Sequence, residues 1–552
     1  MNPVKIKISA LAVLSAILLS IPFLIPHGGA VALFALVPLL WMERVADRGH
    51  ITRFWICHYG TFLLWNAITT FWVCNATIGG GIFACVANAF QMSVVFGLYR
   101  LSKRVFRGSV PYLFLAALWI AWERAYFGAQ ISWPWLTLGN ALAGTVSLAQ
   151  WYEYTGTLGG SLWIWACNLS LFGLLCAWQD GTWRGFGGKA RVASLGGYLV
   201  LLIAPAILSV WMYARYDEGQ EGETLDVVIV QPNIDPYHKF QALDQSQQNA
   251  ILLGLLDKGL ASRRSLDSLR AAAEPLLALA PETFTNDVIT NDLTAGRTWR
   301  RFQKFLQDYP GVNLLFGASS YEYLRSDVRP TVTAREVKNG TWVESHNSAL
   351  MTDATGRGQI YHKSKLVVGV EMTPYPAFFT RVDDMLGGVM GRCVGQKEVS
   401  LLDCRAYGPD GQVVRSVPVG CAVCYESVYG EHCAEYVRKG ARLLTVITND
   451  AWWGDTPGYM QHLRYSALRA IETRRDIARC ANTGISAFIS SRGDILQRSP
   501  WWEQAVLQGK VRLHDRETFF VRNGDIVGRL ASFVAVLLLL AMGVRLMMGK
   551  RV

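Results

Sequence analysis

The sequence predicts a helical membrane domain, an α/β domain and one last membrane span. Hydrophobic residues make up 51% of the 552 residues and charged residues only 17%, a composition typical of membrane proteins. Long apolar runs fill both ends of the chain. Between residues 217 and 520 they give way to short β-rich runs that alternate with helical ones, which indicates an α/β layered domain. We therefore expect domains at residues 1–216, 217–520 and 521–552.

Seven apolar runs precede the α/β domain and one follows it. Most are near the roughly 20 residues that a helix needs to cross a bilayer, although the second and fifth are short. A signal peptide is the competing interpretation of the first run, but no small-residue cleavage pattern follows it. We predict spans at about residues 8–24, 30–42, 54–74, 78–99, 112–127, 158–178, 193–213 and 526–544.

Basic residues indicate how these spans are oriented. They follow spans two, four and six and end the chain: Arg44, Arg48, Arg53, Arg100, Lys103, Arg104, Arg107, Arg184, Lys189, Arg191, Arg545, Lys550 and Arg551. The loops at 26–29, 75–77 and 128–157 carry no lysine or arginine. This positive-inside pattern predicts cytoplasmic termini and an α/β domain on the outer face. It also accounts for the net charge of +11 without nucleic acid as a partner.

Three candidate catalytic side chains follow short predicted strands. Cys424 ends the apolar run 419–423, Glu282 follows the run 276–280, and Lys363 follows another short strand. Ligand sites in open α/β sheets gather at the carboxyl ends of strands. Taken singly, each residue also has a structural interpretation, because cysteines are often buried and inert and the other two residue types are often solvated.

The order Glu, Lys, Cys, together with its neighbours, resembles the nitrilase superfamily, and most closely the membrane-embedded apolipoprotein N-acyltransferases. The resemblance covers nearly the whole chain. Phe240 stands where that family commonly has a tryptophan, and Val368-Gly369-Val370 stands where it usually has a Pro-Phe-Gly turn. The matching segments are Trp133 to Asn140, Val230 to Ile234, Pro281-Glu282, Lys363 with Glu371, Cys424-Tyr425-Glu426, Thr448 to Asp455, Gln461-His462 and Ala481 to Gly484.

The resemblance implies a nitrilase-like αββα sandwich and an acyltransferase. The implied reaction moves a fatty acyl chain from a membrane phospholipid, through a cysteine thioester, to the α-amino group of the diacylglyceryl-cysteine of an apolipoprotein. It further implies a multi-pass protein of the bacterial inner membrane with its catalytic domain on the periplasmic face. Membrane lipids are the expected surroundings, and we expect no cofactor.

The chemistry of a thiol assigns expected roles to the candidate residues. A free thiol has a pKa of about 8.5 and needs a base or a cationic neighbour at neutral pH. Glu282 is the expected base, and Lys363 the expected stabiliser of the oxyanion, with the backbone N–H of Tyr425 as a second donor. Glu371 and Glu426 are expected to orient Lys363 or the acceptor amine.

Aromatic residues and one insertion are candidates for lipid access. Trp133 and Trp135 lie in the loop between predicted spans five and six, and Phe240 follows the opening strand of the α/β domain. An aromatic belt at the lipid interface explains the two tryptophans equally well. The insertion at residues 374–398, rich in Gly, Met and Phe, and the aromatic loop at 130–154 are candidates for mobile segments that exclude water from the thioester.

Two other functions stay open: a membrane-anchored amidase with the same three residues, and a transporter or scaffold with an inactive enzyme domain. The spacing Cys421-x-x-Cys424 would suit zinc or redox chemistry, but no second pair or histidine set accompanies it, so we expect no metal. A disulfide between Cys393 and Cys404 also stays open. His462 is expected to make a structural hydrogen bond rather than to act as a base.

Overall fold

The computed structural model describes residues 3–49, 54–216, 222–236, 243–265, 272–376 and 391–549, with residues 379, 381 and 385 between the last two ranges. Phe240 and part of the insertion at 374–398 therefore lie outside the described residues. The chain divides into two compact units, residues 1–216 with 523–552 and residues 217–522.

Helices build the first unit. Among the described residues, six helical segments are long and apolar enough to cross a membrane. Phe54–Thr70, with only 17 residues, and Val110–Gly128 are not among them. Each of the eight predicted spans overlaps a helix: Pro3–Leu24, Val37–Arg48, Phe54–Thr70, Ile78–Ser102, Val110–Gly128, Tyr152–Gln179, Gly188–Arg215 and Ile526–Met547.

The loop before Tyr152–Gln179 is compact and carries three 3-10 turns, Pro134–Leu136, Leu138–Leu142 and Val146–Leu148. The buried carboxylate of Glu123 accepts hydrogen bonds from the Leu138 backbone N–H at 2.8 Å and from the Trp119 indole at 3.1 Å. A Cβ on Gly139 would lie 1.9 Å from the carbonyl oxygen of Thr157, so only glycine fits there.

Two sheets form the core of the second unit. The larger has the strand order β14-β1-β2-β4-β6-β5, with β3 beside β4 and β7 beside β6, and the smaller has the order β13-β12-β11-β10-β9-β8. Their bounds are β1 Thr224–Gln231, β2 Leu276–Leu279, β3 Thr285–Ile289, β4 Val312–Arg325, β5 Arg335–Lys338, β6 Thr341–Thr352, β7 Gly358–His362, β8 Leu402–Tyr407, β9 Val413–Val423, β10 Leu443–Thr448, β11 Ile477–Ala481, β12 Ala487–Ile489, β13 Ile495–Arg498 and β14 Ala505–Arg512.

The sheets face each other, and helices cover their outer faces. Cys480 on β11 donates to the carbonyl of Val230 on β1 across the interface at 3.2 Å. On the outer side of the larger sheet, helices Gln245–Gly259 and Arg297–Leu306 bury apolar side chains against the strands. Helices Gly430–Arg438 and Pro457–Thr473 contact the smaller sheet. This αββα order confirms the predicted fold class.

The strands carry the candidate residues to neighbouring ends of the two sheets. Glu282 follows β2, Lys363 follows β7, and Cys424 follows β9 directly. All four residues of β2 are buried, as are the last five of β9, so both approaches are rigidly packed. All eleven cysteines are free, so the disulfide left open between Cys393 and Cys404 is absent.

Candidate active site

A buried lysine lies between two carboxylates at the centre of the site. The Nζ atom of Lys363 is 3.1 Å from an oxygen of Glu282 and 2.9 Å from an oxygen of Glu371. Lys363 is only 1% exposed. Burial alone would lower the pKa of Lys363, but the two carboxylates outweigh it and hold the pKa well above its usual value. The lysine is therefore a fixed positive charge.

Asn347 on β6 joins the same two carboxylates from another direction. Its side-chain amide donates to Glu282 at 2.8 Å and to Glu371 at 2.6 Å. The sequence analysis missed this residue, because an asparagine within a strand has no motif of its own. Its only local signal is that a polar residue stands at the start of the apolar run 348–351.

A close approach between strands positions Glu282. Its neighbour Thr283 adopts a left-handed backbone with φ of 46°. Gly317 on β4 lies directly against this turn: a Cβ there would be 2.5 Å from the Cα of Glu282. The Gly317 N–H donates to the carbonyl of Pro281 at 3.0 Å, which fixes the turn to the sheet.

Glu371 is placed by a tight turn. Its backbone N–H donates to the Val367 carbonyl at 2.8 Å, and its carboxylate accepts the Val367 N–H at 2.7 Å. Gly369, with φ of 81°, supplies the left-handed residue within this turn. The departure from the Pro-Phe-Gly pattern therefore still allows Glu371 to reach Lys363.

Cys424 occupies a strained turn at the end of β9. Its φ is 53°, in the left-handed region that cysteine rarely adopts, and the 3-10 turn Cys424–Val428 begins there. Such strain persists only where the surroundings impose it, and it gathers at functional sites. A sharp turn of this kind, between a strand and a helical segment, presents a nucleophile at the edge of a sheet.

The thiol of Cys424 interacts electrostatically with both charged candidates. Burial raises the pKa of Cys424, the negative charge of Glu282 raises it further, and the positive charge of Lys363 opposes both. The net direction is upward, so the resting thiol is protonated and a base must remove its proton. Cys424 is partly exposed, whereas Cys421 is buried. Burial raises the pKa of the Cys421 thiol to about 12.

Glu426 is fully buried and joins the turn after Lys363 to the turn that carries Cys424. Its carboxylate accepts the backbone N–H groups of Ser364 at 2.6 Å, Lys365 at 3.1 Å and Val423 at 2.8 Å. The hydroxyl of Tyr361 also donates to it, at 2.7 Å. Burial alone would raise the pKa of Glu426, but His432 and these donors outweigh it and lower the pKa. The sequence did not distinguish the roles of Glu371 and Glu426. In the structure, Glu371 contacts the Lys363 ammonium, whereas Glu426 accepts the backbone N–H groups that follow Lys363 and precede Cys424.

The imidazole of His462 contacts the turn that begins at Cys424. Its Nε2 lies 3.1 Å from the Cys424 carbonyl oxygen and 2.9 Å from the Ser427 hydroxyl. Its Nδ1 lies 2.9 Å from Asp450, which also pairs with Arg479 at 2.5 Å. Burial and Arg479 lower the pKa of His462. These contacts indicate a structural role for His462, next to the backbone of Cys424.

The predicted lipid-access tryptophans form a stacked pair in the first unit. The rings of Trp133 and Trp135 lie 5.0 Å apart with an interplanar angle of 8°. Trp135 is fully buried against Trp72, and Trp133 is half-buried. Their role in lipid access stays a prediction, as does that of Phe240 outside the described residues. Tyr425, predicted as an oxyanion donor through its backbone N–H, packs its ring edge-on against Tyr429 at 5.2 Å.

Comparison with known proteins identifies the family. The family model "Carbon-nitrogen hydrolase" matches residues 322–519, and "Apolipoprotein N-acyltransferase N-terminal domain" matches residues 15–170. An apolipoprotein N-acyltransferase of Chlorobaculum tepidum is 30% identical over 97% of this chain and 96% of its own length. The chain belongs to the apolipoprotein N-acyltransferase family. Another member, from Geobacter metallireducens, is 27% identical over 94% of this chain and 91% of its own.

Membership confirms the resemblance and agrees with an acyltransferase embedded in a membrane. The N-terminal family model matches the helical part of the chain, and the carbon-nitrogen hydrolase model matches the α/β part. Among solved structures, the chain is similar to Saccharomyces cerevisiae Nit3, described as a member of branch 10 of the nitrilase superfamily. That similarity has a TM-score of 0.36 and 11% identity over 52% of this chain and 90% of the other.

Proposed function

We propose that this N-acyltransferase moves a fatty acyl chain from a membrane phospholipid to the α-amino group of a diacylglyceryl-cysteine at the N-terminus of an apolipoprotein. The chain passes through a thioester on Cys424, with residues 217–520 as the catalytic domain. The observation that supports this most directly is the buried Lys363 ammonium, held between Glu282 and Glu371 and in electrostatic contact with the strained Cys424.

In the first half-reaction, Glu282 accepts the proton of the Cys424 thiol as the sulfur attacks the acyl ester carbonyl. The raised pKa of the thiol supports the need for this base. Lys363 stabilises the negative oxygen of the tetrahedral intermediate, and the backbone N–H of Tyr425 is the second donor. Collapse breaks the ester bond, and Glu282 returns the proton to the departing lysophospholipid oxygen.

In the second half-reaction, the α-amino group of the acceptor attacks the thioester carbonyl. Glu282 takes a proton from the attacking amine, Lys363 again stabilises the oxyanion, and the thiol of Cys424 is restored as the amide forms. Glu371 and Asn347 keep Lys363 and Glu282 in place during both halves. Asn347 donates to Glu282 at 2.8 Å and to Glu371 at 2.6 Å, and Glu371 in turn accepts a hydrogen bond from Lys363 at 2.9 Å, which supports this role.

Because both substrates are lipids, the reaction requires a site at the membrane. We place the catalytic domain on the periplasmic face of the bacterial inner membrane, with both termini cytoplasmic. The positive-inside distribution of lysine and arginine supports this orientation. A reporter enzyme that is active only in the periplasm, fused after Val552, is expected to remain inactive.

The proposal is tested with purified protein and a phospholipid labelled in its acyl chain. We expect a label on the protein that hydroxylamine removes, and transfer of that label when a diacylated lipopeptide is added. Cys424→Ala abolishes both, whereas Cys421→Ala, a matched change three residues earlier in the same segment, retains both. Labelled Cys424→Ala protein would contradict the assignment of the nucleophile. Release of free fatty acid without amide formation would select the amidase alternative.

A further inference from the structure

Three potential metal ligands that the proposed reaction does not use converge on β4 and β6 of the larger sheet. Glu322 on β4 and Glu344 on β6 lie directly opposite each other in the antiparallel register. His346 lies two residues further along β6, so it shares a face with Glu344. One side-chain ligand atom from each residue lies within 4.8 Å of the other two. We call these residues the Glu-Glu-His cluster.

The histidine of this cluster has the form of a metal ligand. His346 is 5% exposed, and its Nδ1–H donates to the backbone carbonyl of Val394 at 2.8 Å. Its Nε2 therefore carries the free lone pair in the neutral ring. That Nε2 is buried, makes no hydrogen bond with any residue that the structure describes, and lies 3.9 Å from a Glu322 oxygen. Metal-bound histidines typically hold the other ring nitrogen on a carbonyl in this way.

The charges around the cluster favour a cation. Like charges directly opposite each other on antiparallel strands are destabilising, and Glu344 is 7% exposed. Within the described ranges, no lysine or arginine forms an ion pair with either carboxylate. Glu344 accepts a hydrogen bond from the hydroxyl of Thr331, which leaves its negative charge in place. A protonated His346 would offset only one of the two charges.

We propose that Glu322, Glu344 and His346 bind one divalent cation of the zinc class. One imidazole nitrogen and two carboxylate oxygens suit zinc and similar borderline ions, whereas calcium and magnesium prefer oxygen ligands alone. In tetrahedral zinc sites with bonds near 2.1 Å, two ligand atoms lie about 3.4 Å apart. The Nε2 of His346 and the nearest oxygen of Glu322 are 3.9 Å apart, so a small side-chain rotation brings them to this separation. Three protein ligands leave the remaining coordination to water.

A cation bound by the cluster would stabilise a backbone segment next to the active site. Val394, which holds the ring of His346, donates its backbone N–H to Ser345 on β6 at 2.8 Å. The preceding residue, Cys393, donates its N–H to the carbonyl of Glu371 at 2.7 Å. Fixing His346 therefore fixes the segment that borders the Glu371 turn. The site does not depend on the proposed acyl transfer.

The experiment measures zinc binding by the full-length protein in detergent. The Cys424→Ala background removes the partly exposed thiol of the proposed active site as a competing ligand. After chelator treatment, the protein is dialysed against zinc, and bound metal is measured by elemental mass spectrometry. We expect one zinc per chain and affinity at least about tenfold weaker in Glu322→Gln and in His346→Gln. The matched control is Glu336→Gln on β5, which removes an exposed carboxylate beside the same strands and retains binding.

Failure to fold is excluded by comparing melting temperatures in the absence of metal. Glu322 is partly exposed, so Glu322→Gln is expected to melt at the temperature of its parent before zinc is added and to gain less from zinc. Binding of no zinc, or equal binding by the parent, Glu322→Gln and His346→Gln, would overturn the proposal.

Discussion

The carboxylate of Glu426 accepts the backbone N–H of Ser364 at 2.6 Å. The turn after Lys363 is thereby tied to the turn that carries Cys424, because the same carboxylate also accepts the N–H of Val423. The two turns follow strands of different sheets, β7 and β9. One buried anion thus fixes the separation between the lysine and the thiol without contacting either side chain directly.

We expect Glu426→Gln to lower both stability and turnover. Hydrogen bonds to a charged group contribute about 1.5 to 3 kcal/mol each, and the neutral amide accepts them more weakly. The kcat of thioester formation is expected to fall about 100-fold with little change in the KM for phospholipid, because the reacting groups lose their alignment. Melting temperature and thioester kinetics measure the two effects.

The control for this change is Glu398→Gln. Its carboxylate is mostly exposed and pairs with Lys439, an interaction of small value. Glu398→Gln is expected to retain wild-type kinetics. A Glu426→Gln protein that has lost stability but keeps its kcat would show that the carboxylate has no positioning role.

Asn347→Asp tests the balance of charge around the lysine. The change places a third carboxylate within hydrogen-bond distance of Glu282 and Glu371, with Lys363 as the cation among them. The amide hydrogen bonds to both carboxylates are lost, and repulsion from the new carboxylate is expected to displace Glu282 and Glu371 from Lys363. The kcat of thioester formation, measured with labelled phospholipid, is therefore expected to fall about 100-fold.

The matched control is Asn291→Asp, an exposed asparagine that donates to the carbonyl of Tyr323. It is expected to leave the kcat of thioester formation unchanged. An unchanged kcat in Asn347→Asp would mean that Asn347 does not hold the two carboxylates in place for the reaction.

Asp450 is expected to make stability depend on pH at the acid end. Arg479 and His462 outweigh the effect of burial and lower the pKa of Asp450 from 3.8 to about 2. A carboxyl whose pKa is lower in the folded state contributes stability that is complete above pH 4 and is lost as the pH falls toward 2. The contribution is about 2 kcal/mol, from 1.36 kcal/mol per pKa unit.

Melting temperatures between pH 2 and 6 check this expectation. The difference between wild type and Asp450→Asn is expected to be constant above pH 4 and to shrink below it. Asp455→Asn, which removes an exposed carboxylate five residues later, is expected to show no such change. A difference that does not vary with pH would place the pKa of Asp450 at its unfolded value.

Cys424→Ser is expected to trap the acyl chain. An acyl ester on serine replaces the thioester, and esters react with amines more slowly than thioesters do. Intact mass spectrometry should then show one acyl group per chain, resistant to neutral hydroxylamine. Cys424→Ala is the control and should show no adduct. Absence of an adduct on Cys424→Ser would mean that Glu282 does not activate a hydroxyl at this position.

Local patterns in the sequence were sufficient for the architecture. Apolar runs and alternating loop charges predicted a helical membrane domain, and the short apolar run 276–280 predicted a strand, which the structure has as β2. Several edge strands were not predicted, among them β5 and β13, whose residues are exposed and therefore lack an apolar pattern. The predicted strand at 419–423 already begins at Val413, where exposed residues dilute the apolar signal.

By itself, the sequence determined the two-part fold, the strand ends that carry Glu282, Lys363 and Cys424, and the family, because these depend on residues close together in the chain. Only the tertiary structure separated Glu371 from Glu426, revealed Asn347, and aligned the Glu-Glu-His cluster. Asn347 and Glu282 are separated by 65 positions and Ser364 and Glu426 by 62, and the cluster depends on the register between β4 and β6. Hydrogen bonds and charge pairing act over a few ångströms, so they are decided only when packing brings such residues together.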